Sequence, residues 1–369
     1  MAAPTPAGPS SPPPVPTRVI LENAPAGGRR FRNLPWWIAG ASFLVAAASL
    51  GASARYFQPQ GQVAERWHSL SKEAPSKVAI VDVVGAIMGG NGFARQQFDR
   101  IADDASVKAI VLRVDSPGGT VAGSDELHHR LAALAAKRDL PVVVSMGSIA
   151  ASGGYYVAMA NGGRDDVIFA EPATLTGSIG VIIPHYDFSK ALRRIDVADD
   201  SVTSGPLKEM LSPTKERAPE LAERERKVLQ ALVDDMFARF KEVVRGGRPK
   251  LDDAAIDAVA TGQVFTANQA KEAGLVDRIG FLEDAVDRAV ELAGLTKDTA
   301  RVVRYVRQRG LLDELLGLDV AASAPQPAGG RSVADALLSR SVLDAFVEWT
   351  TPRAWYLCSW WPALVSSGG

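Results

Sequence analysis

Short apolar runs alternate with amphipathic stretches in the region that begins at Lys77. Runs such as KVAIVDVVGAIM, VKAIVLRVDS and PVVVSM are rich in β-branched residues and have the length of buried strands. The stretches between them, GFARQQFDRIADDA and SDELHHRLAALAAKRD, have the spacing of amphipathic helices. Strands that alternate with helices predict an α/β domain in which βαβ crossovers connect parallel strands.

The composition argues against several classes of function. A net charge of −1 over 369 residues gives no basis for binding a polyanion, so nucleic acid is not expected as a partner. The sequence has no GxxxxGK[ST] motif and no GxGxxG motif after a strand, which leaves nucleotide binding without support. The single cysteine, Cys358, rules out an intrachain disulfide, and we interpret it as a buried structural thiol.

A charge-free stretch follows an N-terminal tail that we expect to be disordered. Residues 1–33 are rich in Pro, Ala and Gly and lack hydrophobic periodicity. Residues 34–54 contain no charged side chain, and a helix of that length spans about 30 Å, the thickness of a bilayer core. We therefore predict a transmembrane anchor at 34–55 and a linker at 56–76 that leads into the α/β domain.

Basic residues around the anchor predict its orientation. Three arginines lie just before it and fewer lie after it, which favours a cytoplasmic N-terminus and an extracytoplasmic domain. The arginines are Arg29, Arg30 and Arg32 before the anchor, and Arg55 and Arg66 after it.

A cleaved signal peptide is the alternative to an anchor. Ala52-Ser53-Ala54 fits the small-x-small pattern of cleavage sites. The region before the apolar stretch is long for a signal peptide, however, and so is the apolar stretch itself. These lengths favour the anchor. A buried core helix is disfavoured by the same length and by the tail that precedes it.

The end of the chain shows two further features. Residues 215–245 carry apolar residues at helical spacing among many charges, which predicts one long amphipathic helix. The α/β domain is expected to span 77–295. The remaining residues, 296–369, form a C-terminal extension of unknown role that contains four of the seven tryptophans in VEWTTPRAWYLCSWW.

A candidate nucleophile lies where the PVVVSM strand runs into small residues, in GSIAASGGYYVAMA. Small residues on both sides of Ser152 would let a strand and a helix approach closely, as the glycines of a G-x-S-x-G elbow do. Gly153 would present its backbone N–H to a developing oxyanion. A second glycine turn, with Gly118 and Gly119, ends the preceding strand and would point into the same crevice. The pattern predicts a serine hydrolase.

Two questions stay open at this level. Both turns could instead be helix caps, since serine is a favoured N-cap and glycine a favoured turn residue. The proton acceptor is also undecided. His128 and His129 fall on a helix and His185 follows a strand, which are positions typical of surface or supporting histidines. A buried lysine can replace histidine, but spacing does not select one.

Five motifs, in order, resemble the signal peptide peptidase A family of bacterial membrane-bound serine proteases. They are VDSPGGTV, MGSIAASGGYYVAMA, TLTGSIGVI, TSGPLKEMLSPTKE and GQVFTANQAKEAGLVD, all within about residues 77 to 295. The resemblance implies a Clp-type, crotonase-like α/β fold with βαβ repeats. Because SPGG and ASGGYY each occur once, the chain is similar to the short, single-repeat form of the family.

The resemblance also implies a role for each matching residue. Ser152 matches the nucleophile, so Ser148 is not expected to react. Lys208 in SGPLKEM matches the general base, and Ser178 in LTGSIG matches the serine that hydrogen-bonds the lysine amine. Lys215 lies nearby but lacks the SG–xx–KE context. The oxyanion-hole region is matched by Gly118, Gly119 and Gly153. Neither a metal nor a cofactor is expected.

The family further implies a Ser–Lys endopeptidase of the bacterial cytoplasmic membrane that degrades cleaved signal peptides and other extended hydrophobic peptides. The lipid bilayer is an expected partner through residues 34–55. Long-form relatives carry serine and lysine on different repeats, so a homo-oligomer with active sites shared between protomers is also expected.

Four alternatives remain. General quality control of membrane proteins fits the same dyad. A crotonase-like acyl-CoA enzyme would need neither Ser152 nor an anchor. A cytosolic Clp-type protease would need a Ser-His-Asp triad, and no histidine stands at a suitable point after Ser152. An inactive membrane scaffold is disfavoured by the presence of Ser152, Lys208 and Ser178.

Overall fold

The computed structural model describes residues 63–89, 92–307 and 355–357 of the chain. The predicted tail, the predicted anchor at 34–55 and Cys358 lie outside these ranges. Within them, none of the helices combines the length and the apolar character needed to cross a membrane.

The described residues form eleven strands and eight helices. The strands are β1 (Val63–Leu70), β2 (Ser76–Val84), β3 (Val107–Ser116), β4 (Gly118–Thr120), β5 (Val142–Ala151), β6 (Ile168–Ala170), β7 (Leu175–Gly177), β8 (Val264–Thr266), β9 (Arg278–Ile279), β10 (Ala300–Arg307) and β11 (Trp355–Leu357). The helices are α1 (Phe93–Asp103), α2 (Val121–Arg138), α3 (Gly153–Ala158), α4 (Ser189–Arg194), α5 (Pro219–Gly247), α6 (Asp253–Val259), α7 (Ala267–Glu272) and α8 (Leu282–Leu292). The predicted alternation of strands and helices is confirmed.

Nine of the strands form one mixed sheet in the order β1-β10-β2-β3-β5-β6-β9, with β7 beside β5 and β8 beside β7. The strands from β10 to β9 in this order run parallel, and β1 is antiparallel to β10 at the edge. The sheet thus includes β1 and β10, which lie outside the 77–295 range expected for the domain. The remaining strands, β4 and β11, form a separate antiparallel pair.

The central strands are buried on both faces, as parallel strands covered by helices must be. Side chains of β2, β3 and β5 are almost fully shielded from solvent, among them Ile80, Leu112 and Val144. Helix α1 packs against β2, and α8 packs against β3 and β5. This core holds the carboxyl ends of β3 and β5, where the two predicted glycine turns lie.

Strand β5 changes partner along its length. Its residues Val144–Met146 pair with β6, and its residues Ile149–Ala151 pair with β7. The second part has a small apolar cluster of its own, in which Ile149 and Ala151 pack with Leu175 and Val264. We call β7 and β8 together the β7–β8 arm.

The long helix predicted at 215–245 is present as α5. Pro219 occupies its first turn, where the missing N–H of proline leaves no helical hydrogen bond unmade. The C-terminal part is anchored by Phe240, Val243 and Val244, which are buried, whereas Leu232 nearer the middle is exposed.

An ion-pair cluster joins β1, β2 and the end of α1. Lys77 Nζ lies 2.6 Å from Glu65 Oε2 and 2.9 Å from Asp104 Oδ2. Burial raises the pKa of Asp104, but hydrogen bonds from Ser106 and Lys77 outweigh burial and lower this pKa to about 2. The carboxylate is therefore stabilised in its charged form.

This cluster predicts a pH dependence of stability. Because the pKa of Asp104 is lower in the folded chain than its ordinary value of 3.8, its contribution to stability is present above that value. The contribution is lost as the pH falls toward 2. Asp104→Asn should lower the free energy of unfolding at pH 7 and should flatten its decline at acid pH. Urea unfolding measures this, with the exposed Asp103→Asn as control; an equal acid decline in both variants would contradict the assignment.

Candidate active site

Ser152 is the single residue between strand β5 and helix α3. Its backbone has φ +53° and ψ −117°, a conformation that is strained for any residue with a side chain. The residue is only 1% exposed. A strained serine on a sharp turn from strand to helix is the geometry of a nucleophile elbow.

The alternative of a simple helix cap is tested by the side-chain hydrogen bonds. The Ser152 side chain makes no capping hydrogen bond to α3. At the other turn, Thr120 Oγ1 accepts a hydrogen bond of 3.1 Å from the backbone N–H of Gly123 and caps α2. The cap interpretation therefore holds for Thr120 but leaves the Ser152 side chain unexplained.

Backbone hydrogen bonds hold the strained turn on both sides. The Ser152 N–H donates to the carbonyl of Gly177 at 2.7 Å, which continues the pairing of β5 with β7. The Ser152 carbonyl accepts a hydrogen bond of 2.9 Å from the N–H of Tyr156 in α3. The conformation of Ser152 is thus tied to both the sheet and the helix.

Ser178 lies beside Ser152 at the end of the neighbouring strand. Ala151 pairs with Gly177, so the two serines follow paired residues of parallel strands. Ser178 also has a positive φ, +50°, and is 8% exposed. Its N–H donates to the carbonyl of Gln263 at 2.7 Å. The structure therefore places these two predicted site residues next to each other.

The three glycines of the predicted oxyanion region meet at one point. A Cβ on Gly153 would lie 3.0 Å from the Gly119 nitrogen and 3.1 Å from Gly118 Cα. It would also lie 2.3 Å from Ser124 Oγ, so no larger residue fits. The turn after the nucleophile and the Gly118–Gly119 turn are in van der Waals contact, as their positions at the ends of β3 and β5 suggested.

The Gly118–Gly119 turn is held by Ile87. The Ile87 N–H donates to the Gly118 carbonyl at 2.8 Å, and the Ile87 carbonyl accepts from the N–H of Thr120 at 2.7 Å. A Cβ on Gly119 would lie 1.9 Å from the same carbonyl oxygen, which explains the glycine there. This edge of β4 is therefore fully occupied.

Ser124, in the first turn of α2, is a site neighbour that the sequence did not reveal. It is fully buried, and its hydroxyl has no hydrogen-bond partner among the described residues. The only local signal was its position shortly after the glycine turn. Its hydroxyl contacts the position where a Gly153 side chain would stand.

Two adjacent tyrosines anchor α3 from different directions. The Tyr155 hydroxyl donates to the carbonyl of Leu275 at 2.9 Å, and the Tyr156 hydroxyl donates to Asp125 of α2. Both tyrosines are completely buried. The sequence showed the YY pair but not its partners, because the partners lie far away along the chain.

The histidines occupy supporting or exposed positions. His128 packs edge-on against Tyr156 with ring centroids 5.4 Å apart, and burial lowers its pKa to about 4 although Asp125 opposes the shift. His129 and His185 are exposed. In the part of the chain that the structure describes, no group of three His, Cys, Asp or Glu side chains is placed to hold a metal ion.

Lys208 lies on the exposed segment between β7 and α5. Its side chain is exposed, whereas Ser152 is buried, and no hydrogen bond joins them within the described residues. The nearby Lys215 is engaged, with its Nζ 2.5 Å from Glu209 Oε1 and 3.0 Å from the carbonyl of Ser201. One chain thus brings together the serines and glycines of the predicted site, while Lys208 stands apart from them.

The contact between Gly153 and Ser124 predicts a specific pattern of stability. Gly153→Ala should lower the thermal midpoint, because overpacking costs about 1–3 kcal/mol. Adding Ser124→Gly removes the 2.3 Å contact but leaves the backbone contacts at 3.0 and 3.1 Å, so it should restore part of the loss. Differential scanning calorimetry measures the midpoints.

Gly246→Ala is the matched control, since its new Cβ would have no neighbour within 4 Å. It should leave the thermal midpoint unchanged or slightly raised, as expected for alanine in place of glycine within a helix. A Gly153→Ala variant as stable as this control would show that the packing at the turn is looser than described.

Comparison with known proteins assigns the chain to a family. Residues 135–296 match the model described as peptidase family S49. A Synechocystis protein named "Putative protease slr0021" is 38% identical over 66% of this chain and 84% of its own length. An Enterococcus faecium protein named "Putative signal peptide peptidase SppA" is 36% identical over 66% and 71%. Protease 4 of Haemophilus influenzae is 36% identical over 61% of this chain and 36% of its own length. The chain belongs to peptidase family S49, the signal peptide peptidase A family of serine proteases.

Proposed function

We propose that this serine protease is a membrane-anchored endopeptidase with a Ser152–Lys208 dyad that degrades cleaved signal peptides and other extended hydrophobic peptides. The observation that carries the proposal is the strained Ser152 turn in contact with the Gly118–Gly119 turn. Family membership supports serine protease chemistry at such a turn. The charge-free residues 34–54 support the anchor, with the N-terminus in the cytoplasm of a bacterium and the protease domain outside.

The proposed reaction is acyl transfer to serine followed by hydrolysis. The neutral amine of Lys208 takes the proton of the Ser152 hydroxyl, and Ser152 Oγ attacks the peptide carbonyl. Backbone N–H groups at Gly153 and Gly119 stabilise the oxyanion of the tetrahedral intermediate. The lysine then gives its proton to the leaving amine, and water releases the acyl group. Ser178 orients the lysine amine.

The environment of the two lysines supports Lys208 over Lys215 as the base. The Lys215 amine is engaged by the carboxylate of Glu209. The Lys208 amine makes no hydrogen bond or ion pair within the described residues, so it is available to a partner. That partner would have to be Ser152 of a site that Lys208 can reach.

An exposed apolar segment supports active sites shared between protomers. Of the ten large hydrophobic side chains that are exposed in the described part of the chain, six lie between residues 182 and 202. They are Ile182, Tyr186, Phe188, Ile195, Val197 and Val202. Clustered exposed apolar surface marks interaction sites, and this segment leads directly to Lys208. We infer that it packs on a second copy of the chain and delivers Lys208 to the neighbour's serine in a closed ring.

Substitution of the dyad tests the chemistry. Ser152→Ala and Lys208→Ala should each lower kcat for a cleaved signal peptide by at least about a thousandfold, because each removes an essential group. Ser178→Ala should lower kcat less, since it orients the amine. The assay uses detergent-solubilised full-length protein, with labelling by a serine-directed fluorophosphonate as a second readout.

Lys215→Ala is the matched control and should retain nearly the parent kcat. Parent-like kcat in Lys208→Ala would show that the base is wrong. Absence of fluorophosphonate labelling in the parent, together with absence of cleavage, would favour the crotonase-like alternative. Equal cleavage of a signal peptide and of an unrelated transmembrane peptide would favour general quality control.

Mixing of inactive variants tests the shared site. Under conditions of subunit exchange, Ser152→Ala and Lys208→Ala should together regain activity, because some sites then combine an intact serine with an intact lysine from another chain. Persistent inactivity, with exchange proven by a fluorescence energy-transfer pair on the two variants, would show that the dyad forms within one chain.

A further inference from the structure

Part of the C-terminal extension lies beside the nucleophile. Strand β11 pairs antiparallel with β4, with Trp355 opposite Thr120, Tyr356 opposite Gly119 and Leu357 opposite Gly118. These are the glycines that contact Gly153. Helix α3, which begins directly after Ser152, also packs near β11. The extension therefore reaches the candidate active site.

The backbone pattern of β4 shows which groups β11 occupies. Ile87 engages the Gly118 carbonyl and the Thr120 N–H on one edge. Because successive peptide groups of a strand point to opposite edges, the N–H and carbonyl of Gly119 face the other edge, where β11 runs. Tyr356 lies directly opposite Gly119 in the register. The Gly119–Tyr356 position is thus the one at which an antiparallel pair exchanges two backbone hydrogen bonds.

An extended peptide substrate would need these same groups. Peptides commonly bind by adding a strand to an exposed edge, with backbone hydrogen bonds that do not depend on sequence. The outer edge of β4 is the strand edge in contact with the nucleophile turn, and its Gly119 N–H cannot serve β11 and a substrate together. The extension and a substrate therefore compete for one edge.

We propose that residues 355–357 are a tethered inhibitory strand, which a peptide substrate must displace from the outer edge of β4. This inference rests on the proposed function. Residues 308–354 connect the strand to β10, and a tether of this kind holds its end at an effective concentration of about millimolar. The pairing spans only three residues, and a two-stranded pair is weak by itself, so displacement is feasible. Only peptides that bind more tightly than the extension would be cleaved efficiently.

Proline substitution in the full-length chain tests the proposal. Tyr356→Pro removes the N–H that faces Gly119, so it should release the strand. Leu357→Pro is the matched control, because its N–H faces away from β4. For a short extended fluorogenic peptide, Tyr356→Pro should lower KM about tenfold at unchanged kcat, as the loss of a competitor worth two hydrogen bonds predicts. Leu357→Pro should keep the parent KM.

A second measurement does not depend on catalysis. Backbone hydrogen exchange over residues 118–120 should become faster in Tyr356→Pro than in the parent and in Leu357→Pro. A parent-like KM in Tyr356→Pro would overturn the proposal, and so would unchanged exchange. A fall in kcat with intact fold would also overturn it, because the strand would then be part of the working site. An enzyme that cleaves nothing in any form refutes the proposed function, while the exchange result still reports the pairing.

Dilution decides which chain supplies the strand. If β11 pairs with β4 of its own chain, the KM of the parent should not change as the protein is diluted. A KM that falls on dilution toward the value of Tyr356→Pro would show that the strand comes from a second copy, and would overturn the tethered form of the proposal.

Discussion

Ser152 joins a buried strand to a short helix with a positive φ, and the packing around it has to offset this local strain. Such a conformation costs about 1–3 kcal/mol for a residue with a side chain. The offset comes from the carbonyl of Gly177, from the N–H of Tyr156 and from the buried part of β5. The glycines on the facing turn then become a steric necessity, because the strained turn brings Gly153 against Gly119. The site therefore depends on the sheet, and its small residues follow from that dependence.

The helix after the nucleophile is short, so its own hydrogen bonds cannot hold it in place. Tyr155 and Tyr156 supply the missing restraint by bonding to Leu275 and Asp125 on different sides of α3. The neighbouring His128 stays neutral at pH 7 because burial lowers its pKa to about 4. The surroundings of α3 thus add no titrating charge near neutral pH, and the N–H of Gly153 keeps one orientation.

The strands β2, β3 and β5 were predictable because each is a continuous run of β-branched residues, and so were the glycine turns that end two of them. Strands β1 and β10 were not placed in the sheet, since edge strands carry polar residues and lack that pattern. The lysine could be proposed only through resemblance, because no local pattern distinguishes Lys208. Pairing of β11 with β4 left no trace in the sequence, since it uses backbone groups of residues more than 200 positions apart. Contacts made by backbone or by distant residues are what the sequence withheld.

The divided pairing of β5 has a mechanical consequence. The part of β5 that leads to Ser152 is joined to the β7–β8 arm and has its own apolar cluster, while the preceding part belongs to the main core through β6. A force on the serine turn is therefore transmitted first to the arm. Because Ser152 and Ser178 both extend from this unit, a displacement of the arm moves them as one body. The spacing between the two serines is then preserved while their position relative to the rest of the sheet changes.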